Sequence, residues 1–205
     1  MPGPLLQTEA IVLSRKPPAG RFQQLTLFSA QHGGLLCLRR LAAKSASSSP
    51  HLDLFDEADF HLETSNQGQT WFLKEVRLIA RHDAIGRSYE SLREASVFSA
   101  LIARNQVHEE SRRGVYALLR QTLAAFGATN RPDIVFVKAL YCFARDEGYP
   151  VREDWWPSLP AATRDLAAGV LNQPVAAQAP TPAAVASLTR RLEDYLRGHT
   201  EILLD

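Results

Sequence analysis

Only two cysteines, Cys37 and Cys142, occur in the 205 residues, and they stand 105 positions apart. They form no Cys-x-x-Cys metal or redox site. Two buried thiols are the plain expectation, because a free cysteine behaves as a small hydrophobe. No apolar run reaches the roughly 18 residues that a membrane span needs. Met1 to Leu13 lacks the basic start and long apolar stretch of a signal peptide, so the chain reads as cytoplasmic, with no membrane partner. None of the six histidines falls in a His-x-x-x-His or His-Glu-x-x-His pattern, which argues against a zinc hydrolase. Gly-x-Ser-x-Gly, P-loop and Gly-x-Gly-x-x-Gly motifs are missing as well. Nothing sets a nucleophile beside its base. The expectation is a protein that is not an enzyme, with no cofactor, no metal and no small-molecule substrate.

Charge of one sign is also scarce overall: the net is +1, from 23 basic and 22 acidic residues. Its distribution is uneven. Residues 1–52 hold six basic side chains (Arg15, Lys16, Arg21, Arg39, Arg40, Lys44) against Glu9, a local +5. Residues 53–63 then hold five acids, Asp53, Asp56, Glu57, Asp59 and Glu63. A weak total can hide a basic face. Asp56, Glu57 and Asp59 are expected as a solvated acidic edge rather than a cation site.

What is present is strand-like for the first 82 residues. Glu9–Ser14, Gln24–Phe28, Leu35–Arg40, Ala58–Glu63 and Trp71–Leu78 are short, apolar or alternating. Gly20, Gly33-Gly34, Ser45–Pro50 and Ser65–Gly68 separate them as turns and loops. Five such strands suit a small closed barrel, which leaves no open edge. After Arg81 the period becomes helical. Helices are expected from Ser88, over Glu110–Phe126 with Gly127 as the stop, over Asp133–Glu147, over Ala161–Leu171 and over Pro182–Arg197. Pro150–Pro160, with Trp155-Trp156, reads as irregular. The fold class is therefore α+β with two domains: a five-stranded barrel of OB type over 1–82 and an all-α domain over 83–205.

The basic residues are the candidate chemistry. Arg15, Lys16 and Arg21 flank the first turn; Arg39, Arg40 and Lys44 lead into the serine loop; Lys74 and Arg77 extend the track on the fifth strand. Positive charge along a track is what phosphates require, and Phe22 or Phe28 beside it would stack on bases. Solvated charges at the barrel ends are the plainer account. Trp155-Trp156 reads as a pair packed under a loop, or else as an anchor for a partner peptide.

An ordered set of short motifs resembles the RecO family of recombination mediators. It runs from Glu9–Ser14, Gly20, Leu25–Ser29 and His32–Leu35 through Leu52–Phe55 and Trp71–Val76. It continues with Tyr89, Gly148-Tyr149-Pro150, Leu192–Leu196 and His199. The resemblance implies an oligonucleotide-binding barrel that binds single- and double-stranded DNA, anneals strands and helps load recombinase in DNA repair and recombination after DNA damage. The implied partners are RecR and single-strand-binding protein, and the implied location is the nucleoid. The alternative is an interaction module of the repair machinery with little DNA binding of its own. Three departures from the family stand out. Tyr149 to Ala161 holds no cysteine where many members carry a four-cysteine zinc site. The basic run after the third strand is thinned, and Phe22-Gln23-Gln24 replaces the usual Asp-Arg.

Overall fold

The computed structural model describes residues 3–41, 51–64 and 69–204. Among these residues the chain is α+β, with five strands first and six α-helices after them. Two compact units emerge: residues 1–82 with 106–116, and residues 83–105 with 117–205.

The first unit contains β1 (Leu5–Arg15), β2 (Phe22–Ser29), β3 (Gly33–Arg40), β4 (Glu57–Glu63) and β5 (Trp71–Ala80). The strands close in the order β1-β2-β3-β5-β4. All neighbours are antiparallel except β3 and β5, which pair in parallel at Cys37 with Trp71 and Leu38 with Phe72. Side chains of a strand alternate between faces, and β2 and β3 follow that rule. Leu25, Leu27, Leu35 and Cys37 point into a core shared with Ala10, Val12, Leu52, Ala58, Phe60 and Leu62. Burying each large apolar side chain contributes about 1.5–3 kcal/mol. The register of β1 against β2 slips between Val12 and Ser14, and Ala10 to Leu13 are all buried.

Gly20 (φ +60°) turns the chain from β1 to β2, a conformation that costs an L side chain energy. Phe55 holds a left-handed φ of 69° without being glycine. Its amide donates to the Val12 carbonyl and the Val12 amide donates to Asp56, both at 2.9 Å. Its ring is buried. The acids expected to form a solvated edge are instead buried: Asp56 is 1%, Glu57 3% and Asp59 8% exposed. Each is held by donors, as burial of a charge demands. Arg81 Nε (3.1 Å) and the Asp53 amide (2.8 Å) donate to Asp56. Tyr116 Oη donates to Glu57 at 2.8 Å, and Gln7 Nε2 donates to Asp59 at 3.0 Å. A strand-only reading missed this because the side-chain donors, Arg81, Tyr116 and Gln7, come from distant positions.

The helices are α1 (Tyr89–Arg104), α2 (Arg112–Ala128), α3 (Pro132–Asp146), the single turn α4 (Trp156–Ser158), α5 (Ala161–Asn172) and α6 (Pro182–His199). Ser88 and Thr181 cap α1 and α6 by accepting amides three residues on. In the second unit α3 packs against α1, α5 and α6. Gly127 does not stop α2; a Cβ there would stand 3.2 Å from the Ala84 Cβ, so the glycine permits a close approach. Pro150–Pro160 is not irregular: a π-helical turn, Val151–Trp155, leads into α4. Trp155 is buried against Tyr141, with ring centroids 5.9 Å apart, so the inward packing expected of the pair holds for Trp155, while Trp156 is half-buried. The Lys138 ammonium donates to the carbonyls of Val170, Leu171 and Gln173 at 2.8–3.1 Å and so caps the C-terminal end of α5. No helix among the described residues is long and apolar enough to cross a membrane.

Candidate functional site

A cleft of about 350 Å³ opens on the barrel. It is lined by Phe22 from β2, Leu38 and Arg40 from β3, Phe72, Leu73 and Lys74 from β5, with Gly3, Glu63 and Thr64. Strand register explains its composition. Phe22 lies opposite Arg40 and Gln24 opposite Leu38. Leu38 pairs with Phe72, and Phe72 pairs with Glu63. One outward row therefore runs Gln24, Leu38, Phe72, Glu63, with Phe22 and Arg40 beside it. The two phenylalanine rings meet edge to face, with centroids 6.2 Å apart and planes at 68°, a favourable aromatic geometry. Phe22 stays 38% exposed and Leu36, on the same face of β3, 37%. An apolar strip open to solvent on a strand face is unusual enough to need a reason.

The eight expected basic residues are not equivalent. Arg40 lines the cleft, and Lys16 and Arg21 are exposed. Among the described residues none of these three has an ion-pair partner. Arg39 has the inward parity of Gln23, its β2 neighbour. Burial, with the Arg15 charge adding to it, lowers the Arg39 guanidinium from its ordinary value. Arg15 is engaged in the fold: it pairs with Asp53 at 3.4 Å and donates to the Leu52 carbonyl at 3.2 Å. Lys74 lines the cleft but lies 2.6 Å from Glu63, and Arg77 lies 3.7 Å from Asp59. Lys74, with help from the Gly3 amide, holds the Glu63 carboxyl below the usual carboxylate range. Lys44 lies outside the described residues.

Of the two aromatics put forward for stacking, Phe22 is in the cleft. Phe28 is 1% exposed, so its ring belongs to the interior and offers no face to a ligand. Phe72, Leu38 and Glu63 were missed. The only signal for Phe72 was its place in the apolar run Trp71-Phe72-Leu73, where alternation makes the middle residue point away from the other two. The chain matches no protein-family model, and no curated protein matches it.

Proposed function

We propose that the barrel is an OB-fold that binds single-stranded DNA, and that the chain serves as a recombination mediator in DNA repair and is not an enzyme. The observation that carries the reading is the Phe22–Phe72 pair lining the cleft, with Phe22 exposed and Arg40 directly across from it. Bases stack on such rings whatever their identity, and an arginine beside them takes the phosphate. The strand order, with its parallel β3–β5 pair, and the cleft's place on the β2–β3 face fit the oligonucleotide-binding barrel. Annealing of strands, binding of duplex DNA, help in recombinase loading, the partners RecR and single-strand-binding protein, and a cytoplasmic, nucleoid-associated location all rest on the family resemblance.

The test is binding of a labelled thymidine oligonucleotide to the full chain at low salt, followed by anisotropy. Phe22→Ala should weaken binding by at least about fivefold, since one base stack contributes about 1–3 kcal/mol. Unchanged affinity would remove the cleft from the reading. One observation favours a second reading, an interaction module of the repair machinery: Arg15, Lys74 and Arg77 are all ion-paired within the fold. No binding to any oligonucleotide at low salt, with RecR or single-strand-binding protein still captured, would establish that alternative.

A further inference from the structure

We infer that Glu63 makes the barrel cleft selective for the base it holds, with guanine preferred; the inference rests on the single-strand reading above. Glu63 is the β4 neighbour of Phe72 and lines the same cleft. The Phe72 and Glu63 backbones are therefore one strand spacing, roughly 5 Å, apart, and a base stacked on the Phe72 ring has the carboxylate as its neighbour in the cleft. A carboxylate only accepts hydrogen bonds and has about four acceptor positions on its two oxygens. Glu63 Oε1 accepts the Gly3 amide at 3.1 Å, and Oε2 lies 2.6 Å from Lys74 Nζ. Two positions remain, on a side chain that is still 20% exposed. The direction in which Lys74 and Gly3 move its titration keeps it ionised at neutral pH.

A group that only accepts sorts bases by the donors they present. Guanine carries its N1–H and its N2 amino group side by side on the Watson–Crick edge, the fork that a carboxylate accepts in two parallel bonds. Adenine and cytosine place one amino group next to a ring nitrogen that is itself an acceptor and repels the carboxylate. Thymine sets a single N–H between two carbonyls. The same negative charge also opposes any phosphate drawn into the cleft. Glu63 thus lowers binding in general and returns it only to a base that offers two donors.

The experiment uses the full chain and a thymidine oligonucleotide whose single central base is guanine, hypoxanthine, adenine or thymine, in competition anisotropy at one salt concentration. Guanine should bind about tenfold tighter than thymine, within the range a bidentate base contact gives. Hypoxanthine, which lacks the N2 amino group, should fall between them. Glu63→Gln should bring the four bases together, because an amide both donates and accepts, and should raise the affinity for the all-thymidine strand. The guanine–hypoxanthine comparison needs no variant, so it does not depend on how Glu63→Gln folds. Four equal affinities in the unaltered chain, or a guanine preference that survives in a folded Glu63→Gln protein, would overturn the inference while the single-strand reading stands. Absence of binding to every oligonucleotide would overturn both.

Discussion

Arg40 and Lys74 line the same cleft, yet their removal should read differently in a salt titration. Each phosphate contact with single-stranded DNA releases condensed cations and contributes about 0.7 to the slope of log affinity against log salt. Arg40 has no ion-pair partner among the described residues, so Arg40→Ala should lower the slope by that amount. Over a fourfold rise in salt this makes the variant lose about 2.6-fold less affinity than the parent chain. Lys74 stands 2.6 Å from the Glu63 carboxylate, so its counter-charge is already part of the protein. Lys74→Ala should weaken binding at every salt concentration, because it leaves Glu63 unopposed in the cleft, but should change the slope far less. Glu63→Gln releases Lys74, and in that background Lys74→Ala should recover the full drop of about 0.7. Anisotropy titrations across five proteins, the parent chain, the three single variants and the double variant, give all the slopes. Equal slope losses for Arg40→Ala and Lys74→Ala with Glu63 intact would refute the reasoning.

Three further predictions concern the fold. Trp155→Ala should cost about 3–5 kcal/mol in equilibrium denaturation, as for other large aromatic truncations in a core, because the ring is 2% exposed. Trp155→Phe should cost much less, since the indole Nε1 it removes is buried with no hydrogen-bond partner among the described residues. Equal losses would show that the nitrogen is satisfied. Tyr116→Phe should cost about 1.5–3 kcal/mol by urea titration, as for a hydrogen bond to a charged group, because the buried Glu57 loses the Tyr116 donor; an unchanged midpoint would show that Glu57 does not depend on the tyrosine. Burial pushes the Cys37 thiol up to about 12 from 9.0. The folded state therefore retains that proton where the unfolded chain loses it, and stability should fall as pH rises from about 9 toward 12. At neutral pH Cys37 should resist a thiol reagent until the protein unfolds, and prompt labelling in the native protein would contradict its burial.

Local pattern carried much of the architecture. The alternation Gln24-Leu25-Thr26-Leu27 states which side of β2 is core, and Ser88 ahead of an apolar helical period states where α1 begins. Other parts depended on pairings that no local window contains. The first residues of β1, Leu5 to Thr8, carry no clear alternation and are held by register against Phe60 to Glu63. The π-helical turn at Val151–Trp155 lies between Pro150 and Pro157, residues that ordinarily break a helical pattern. Phe28 and Phe22 both lie on β2 with basic residues nearby in sequence, yet one is interior and the other open, because β2 becomes buried on both faces from Leu27 to Ser29. Glu63 could not be tied to Lys74 from spacing, since a register shift between His61 and Leu62 decides which β5 side chains meet it.

The acidic stretch after residue 52 decides which cations of the first unit stay available to a ligand. Asp53 takes Arg15, Asp56 takes Arg81, Asp59 takes Arg77 and Glu63 takes Lys74. Of the six cations behind the local +5, Arg15 is the one these acids hold among the described residues; the other three acids take Lys74 and Arg77 of β5 and Arg81 just after it. The exposed cations of the first segment with no ion-pair partner among the described residues are Lys16, Arg21 and Arg40, and Arg40 lies across from Phe22. Three phosphate contacts give a slope of about 2 for single strands, small for a protein that recognises nucleic acid by charge. Duplex DNA presents phosphates and groove edges but hides its base faces, so Phe22 and Phe72 offer it nothing. The barrel by itself should then hold a single strand mainly through stacking, keep that grip as salt rises, and release duplex first.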